Sequence, residues 1–351
     1  MKLQNIFFVI IIILVGTLPL CFVANSNEFD TAVSVLFSSY KIGFAVDADN
    51  KIWKTDDAGK TWHVVYNPIG NDLDIVINNF YIGNQGRIYA IGTGILKTDD
   101  GGKTWEKIGI QKQINLKNLF SIGIINLNSM ELVYASVSNN IYVSSNNGDT
   151  WNSIRWQKNN ENVSILYGGN SYLVAGTDKG FIYKSLDKGI TWKKVGMNIS
   201  EGQIVNGKKI VNAPPDCWVI HTLKIFPSGV GYTINYVGGV SKTEDNGLTW
   251  KIVRHPNPKD ETLHRSALIS DQNRIFIPGE GGDLLYTHDG GKSWQKAVIT
   301  NLDGSKSEKD FWSVSMVDVN IGWLISFDGL LYKTVDGGKT WKQQEYKVIK
   351  K

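Results

Sequence analysis

An eight-residue phrase, Ser/Thr-x-Asp/Asn-x-Gly-x-Ser/Thr-Trp, recurs seven times in this chain. It begins at Thr55, Thr98, Ser144, Ser185, Thr243, Thr287 and Thr334, and it closes on Trp62, Trp105, Trp151, Trp192, Trp250, Trp294 and Trp341. Successive tryptophans are 43, 46, 41, 58, 44 and 47 residues apart. A recurrence at that period marks a repeat architecture, in which each unit carries an apolar face that only its neighbours cover.

The chemistry of the phrase predicts a fixed turn. The third position is Asp57, Asp100, Asn146, Asp187, Asp245, Asp289 or Asp336, and each side chain offers an oxygen to the backbone N–H groups just ahead. Glycine at the fifth position takes a positive φ without a Cβ clash. The tryptophan then opens the next strand and covers the end of the hairpin. An aliphatic residue stands three positions before every phrase: Ile52, Ile95, Ile141, Ile182, Val240, Leu284 and Leu331. Further short β-rich runs lie upstream, so each unit reads as four antiparallel strands. Val33–Trp62 and Trp312–Trp341 align without a gap and share 12 of 30 residues, so the first and last units are the same object. The expected fold is all-β: one seven-bladed β-propeller over residues 31–348, with one phrase per blade.

Residues 1–26 differ. Lys2 precedes an apolar run from Ile6 to Leu20, and a polar stretch, Asn25–Asp30, follows. That order describes a secretory signal peptide cleaved after Ser26. Two alternatives stay open: an uncleaved anchor, and a lipoprotein site at Leu18-Pro19-Leu20-Cys21. All three put the propeller outside the cytoplasm, secreted or held at the cell surface or in the periplasm. Cys217 is then the one cysteine left in the folded part, so no internal disulfide is expected. The net charge of +4 comes from 32 lysines and 5 arginines. Lysines recurring at Lys54, Lys97, Lys184, Lys242 and Lys333 read as a solvated rim rather than a nucleic-acid footprint.

Runs such as Ile42-Gly43-Phe44-Ala45-Val46 leading to Thr55–Trp62, and Ile321-Gly322-Trp323 leading to Thr334–Trp341, resemble the Asp-box (BNR-repeat) propellers. Within these the chain is most similar to the photosystem II stability/assembly factor-like family, from about Thr31 onward. The resemblance implies an exported propeller that binds protein partners during membrane-complex assembly. It also implies that the phrase lies between the third and fourth strands of each blade, on one face. The funnel face opposite is then built from the loops that enter the first strands and those between second and third strands. The box is shared with sialidases, xyloglucanases and sortilin-type receptors, so it is scaffold and does not choose among activities. The five arginines do not supply the arginine-rich patch described for the photosynthetic members.

On the implied funnel face lie Asp74, Trp218, His221, His264, Arg265, Asp310 and Trp312 near first-strand starts, and Asp49, Asp178, Glu280, Asp283 and Asp328 in the other loops. The longest interval holds an insertion, Gly196–Cys217, where extra loop length on a rigid scaffold is a place for binding. A sialidase would need three converging arginines with a tyrosine nucleophile. Of Arg87, Arg155, Arg254, Arg265 and Arg274, only Arg265 is expected at the funnel. A neutral-glycan hydrolase needs only two carboxylates about 5–10 Å apart. The five histidines show no metal-ligand spacing, and Asp47-x-Asp49 lacks the rest of a calcium loop. The expectation is a binding or assembly propeller without cofactor or metal, gripping a protein or glycan through Trp218, His221, His264, Arg265, Glu280, Asp310 and Trp312. A glycoside hydrolase working through funnel carboxylates is the alternative.

Overall fold

The computed structural model describes residues 31–349 apart from 69–75, 84–85, 93, 109–118, 128–129, 138–139, 147–149, 157–160, 170, 198–203, 206–207, 210–218 and 256–262. Cys217, Trp218, Asp74, the N-terminal segment and most of the insertion therefore lie outside the described residues. Five four-stranded and two five-stranded sheets carry the chain, and each contains four consecutive antiparallel strands. The first sheet is Ala32–Phe37, Gly43–Asp47, Ile52–Thr55 and Thr61–Tyr66. The others follow in order, over residues 77–107, 119–155, 163–197, 220–254, 268–296 and 311–344. Second strands are continuously buried, as in Gly43–Asp47, Leu173–Thr177 and Gly322–Ser326, because both faces of each sheet are covered by neighbours. Consecutive sheets touch through their inner strands, and Ala32–Phe37 packs on Phe311–Met316 to close the circuit. This is a β-propeller.

The last element departs from the expected plan. Lys347–Ile349 does not end the final sheet but pairs parallel to Thr61–Tyr66, as a fifth, outer strand of the first sheet. Val298–Thr300 likewise leaves the sixth unit and runs parallel to Thr340–Gln344 of the next. Both cover an outer edge that would otherwise present unpaired N–H and C=O groups. The described side chains form six hydrophobic clusters, not the seven that seven blades lead one to expect. Each joins two neighbouring sheets. At the remaining junction, between the second and third sheets, most of the third sheet's side chains lie outside the described residues.

The octapeptide does more than expected. Asp100 Oδ1 accepts from the N–H groups of Lys103 and Thr104, at 2.9 and 3.0 Å, and Oδ2 accepts from the Thr104 hydroxyl. The first position also works: the Thr98 hydroxyl donates to Asp100 at 2.8 Å and accepts the Gly102 N–H at 2.8 Å. The same pair of bonds recurs at Ser185, Thr243, Thr287 and Thr334. Asn146 keeps the backbone bond to Thr150 but donates from Nδ2 to its hydroxyl, reversing that one bond. The fourth position also has positive φ, at Ala58, Gly101, Lys188, Asn246, Gly290 and Gly337.

These bonds have a pH consequence. The hydroxyl and then the N–H of Thr191, followed by the Ser185 hydroxyl, hold Asp187 down at about 2. Ser293 and Thr287 do the same for Asp289. A carboxylate depressed in the folded state contributes stability above its unfolded pKa, about 3.9, and loses it as pH falls through the folded value. The octapeptide's share of a urea midpoint should therefore hold from neutral pH to about 4 and drop between roughly 4 and 2. Asp187→Asn should make that drop shallower; an unchanged slope would count against the turn as its source.

Candidate functional site

The funnel mouth is organised by one repeated irregularity. In the inner hairpin of five sheets the register skips one residue of the first strand, leaving Val33, Asn78, Ser164, His221 and Trp312 bulged. In the third sheet the skipped residue is Phe120. Each of the five lies four residues before the last pair of its hairpin, for example Ile225↔Gly231 and Met316↔Gly322. In the sixth sheet that last pair is Ile269↔Ile275, which puts Arg265 at the equivalent place. Bulges re-aim side chains and concentrate beside sites. Three of the sequence candidates, His221, Arg265 and Trp312, thus fall at one structural position in three consecutive sheets.

Each of the three pairs with the turn between second and third strands of its own sheet. His221 stacks on Tyr236, with centroids 4.9 Å apart and planes at 26°. Arg265 pairs with Glu280 at 3.3 Å. Trp312 packs on Phe327, with centroids 4.5 Å apart. The Arg265 guanidinium also lies 5.4 Å from the Trp312 ring centroid, which joins the sixth sheet to the seventh by a cation–π contact. Asp310 is exposed and accepts the Gly281 N–H at 2.8 Å, fixing the turn that carries Glu280. The result is an arc of aromatic and charged groups along one side of the mouth; the other bulged positions carry Val33, Asn78, Phe120 and Ser164, with Ser164 turned back to the Ile220 carbonyl.

His264, also expected at the binding face, does not belong to this arc. It precedes the bulged position, where the other sheets bury Ala32, Ile77, Val163, Ile220 and Phe311, and it is itself buried. Its N–H donates to the Tyr236 carbonyl, as Ala32 does to Phe327 and Phe311 to Gly279, and Nδ1 lies 3.1 Å from the Pro278 carbonyl. His264 is a mortise between two sheets. His221 is also shielded. Burial pushes its imidazole down to about 3, with neighbouring His264 adding to the shift, so it is neutral and works through its ring face.

The remaining carboxylates are held locally. Asp49 pairs with Lys51, Asp283 with Lys296 and Asp328 with Lys309, while Asp178 accepts from the backbone and side chain of Asn162. The arginines do not converge. Arg87 pairs with Asp99 and Arg274 with Asp271 at the octapeptide face, Arg254 donates to the Gly238 carbonyl, and Arg155 lies on an outer strand opposite Asn140. The carboxylate-clamping triad of a sialidase is not assembled. Among the described residues no group of three or more His, Cys, Asp or Glu is placed to hold a metal ion. Sequence reasoning missed Phe327 and Tyr236. Their signal was a large aromatic in a turn where other repeats carry Ala48 or Asp178.

Sheets ringed about an axis, with the octapeptide turns at one end of each and the bulged positions at the other, define a β-propeller. The chain belongs to the family described as photosynthesis system II assembly factor YCF48, which matches residues 24–161 and 219–342. Among curated proteins it resembles the photosystem II assembly lipoprotein Ycf48 of Synechococcus sp. strain CC9902, 24% identical over 113 residues, which is 32% of this chain and 32% of that protein. The matched segment therefore spans about a third of that relative. The xyloglucanase Xgh74A of Acetivibrio thermocellus is 25% identical over 217 residues, 52% of this chain and 25% of the enzyme. Among solved structures, YCF48 bound to D1 peptide superposes with a TM-score of 0.61 at 19% identity, covering 88% of this chain and 94% of that one. At that identity the likeness is one of fold.

Proposed function

We propose that this chain is an exported, seven-bladed Asp-box propeller that does no chemistry and grips a segment of a partner protein across the funnel mouth during assembly. The observation that carries this reading is the coincidence of His221 and Trp312 at the bulged position of their sheets with Arg265 at the equivalent place in the sheet between, each backed by a turn residue. A rigid arc with a half-exposed tryptophan, a stacked arginine and an exposed Phe327 has the composition of an interface hot spot. Family membership supports it, as does the peptide carried by the YCF48 structure of similar fold. The N-terminal apolar run supports export, with cleaved signal, anchor and lipoprotein as its three forms. A glycan partner on the same arc is the variant of this reading closest to the xyloglucanase likeness.

The glycosidase alternative meets a local obstacle. Glu280 is engaged by Arg265, and Asp310 is spent on a backbone N–H, so neither stands free beside a second carboxylate. The test uses the full chain and affinity capture from the envelope fraction of its own source. Arg265→Ala and Trp312→Ala should each weaken capture roughly 30-fold, the size of a hot-spot truncation of about 2 kcal/mol. Neither should release sugar from neutral β-glucans or sialosides. Turnover of a β-glucan that disappears in Asp310→Asn or Glu280→Gln would replace the binder with a hydrolase.

A further inference from the structure

The octapeptide face offers an internal control, because the same turn is built repeatedly and its sixth position, like its second in every described turn but the one that holds His288, is exposed. The sixth position is an exposed lysine at Lys60, Lys103, Lys292 and Lys339. In the two adjoining turns of the fourth and fifth sheets it is Ile190, 62% exposed, and Leu248, 54% exposed. The second position is Asp56 and Asp99 in the first two turns, but Leu186 in the fourth, 72% exposed, and Val335 in the seventh, 68% exposed; only the fourth also has an apolar sixth position. The two turns touch: Lys184 Nζ donates to the Asn246 carbonyl at 2.7 Å, and the Tyr172 hydroxyl reaches Asn246 Oδ1 at 3.4 Å. Leu186, Ile190 and Leu248 are thus three exposed apolar side chains on two adjoining turns, and together they form the candidate patch. None of the three contributes to the hydrophobic clusters between the sheets.

Its charged surroundings are of one sign. Lys188, Lys193 and Lys251 stand exposed within or directly after the two turns. The acids there are already committed: Asp187 and Asp245 to their own turns, and Glu244 to Lys242 at 2.7 Å. We infer that this patch is a second docking site, taking a protein segment with an apolar ridge and acidic flanks. A lipid surface fits the geometry less well. The chain enters its first strand on the opposite face, where the Thr31 carbonyl accepts from Ala48 and the Ala32 N–H donates to Phe327. An N-terminal membrane attachment would hold the patch away from the bilayer. The two family-matched stretches flank residues 162–218, so Leu186 and Ile190 lie in the part of the chain outside them.

The test gives the fourth turn the residues of the first. Leu186→Asp with Ile190→Lys copies Asp56 and Lys60, which the same fold already accommodates. Binding to the full chain is read by fluorescence anisotropy with a short amphipathic peptide bearing a leucine face and glutamate flanks, and with its lysine-flanked counterpart. Co-sedimentation uses vesicles of phosphatidylcholine and phosphatidylglycerol. The glutamate peptide should bind, weaken about tenfold or more in the double variant and in Leu248→Lys, and bind unchanged in Arg265→Ala, which alters only the opposite face. No binding of that peptide, equal binding by the variants or preference for the lysine peptide overturns the proposal. Vesicle binding lost in the variants would install a lipid surface instead, and a concentration-dependent dimer lost in them would install a second copy of this chain.

Discussion

Trp341→Ala should cost about 3–5 kcal/mol, the range for truncating a large buried aromatic. Its side chain is fully buried among Phe276, Leu284, Ile299, Phe311, Leu324 and Tyr332, which come from two neighbouring sheets and the crossing strand between them. The indole N–H donates to the Gly338 carbonyl at 2.9 Å, so truncation also strands a buried acceptor. Ile299, one of its neighbours, pairs with it in the parallel edge strand, and that strand should loosen with it. Against a typical stability of about 5–15 kcal/mol the loss is large. Thermal or urea unfolding should show a marked fall in midpoint and little folded protein at physiological temperature. Trp294 supplies the control. It is only half-buried and its indole nitrogen has no partner, so Trp294→Ala should cost clearly less. The reverse ranking would mean that the seven tryptophans are not graded by burial and bonding.

Much of this fold was legible because the octapeptide is a local device. Aspartate, glycine and tryptophan each act within a few residues of themselves, so their spacing in the chain reports their geometry directly. What was not legible is long-range. The pairing of Val298–Thr300 with Thr340–Lys342 joins segments some 40 residues apart and parallel, and no periodicity announces it. His264 shows the limit at the site. A histidine before an inner strand looks like a funnel residue, and only its equivalence to Ile220 and Phe311 shows that it is wedged between sheets. Arg265 and Trp312 were picked out by their place at the start of inner strands. Their partners Glu280 and Phe327 come from turns 15 residues away in each case, brought back by the hairpin. The bulge at His221 and at Trp312 is a one-residue slip in register, and the residues do not encode it in any pattern of hydrophobicity.

Adjacent glycines in the second octapeptide should respond very differently to alanine. Gly101 and Gly102 both have positive φ, +72° and +85°. A Cβ on Gly101 meets no atom within 4 Å, whereas a Cβ on Gly102 falls 2.4 Å from Phe44 Cε1. Phe44 is fully buried in the cluster between the first and second sheets, where it meets Trp105 edge-on, so its ring has nowhere to retreat. The position of Gly101 is held elsewhere by Ala58, Lys188 and Asn246, all at positive φ, so the turn carries an ordinary side chain there at modest strain. Gly101→Ala should therefore cost about 1 kcal/mol or less. Gly102→Ala adds overpacking of about 1–3 kcal/mol to a left-handed strain of similar size, for a total of roughly 2–5 kcal/mol. The measurement is a pair of urea unfolding curves at neutral pH, with Gly338→Ala as a third, since its Cβ would fall 2.3 Å from Phe276 Cε1 in the same arrangement. If Gly102→Ala and Gly338→Ala unfold with Gly101→Ala, the fifth position is conserved among the repeats for its turn geometry alone. If they unfold well before it, that glycine is also what lets each turn lie against the core of the sheet before it, and the octapeptide sets the spacing of the sheets as well as the shape of the hairpin.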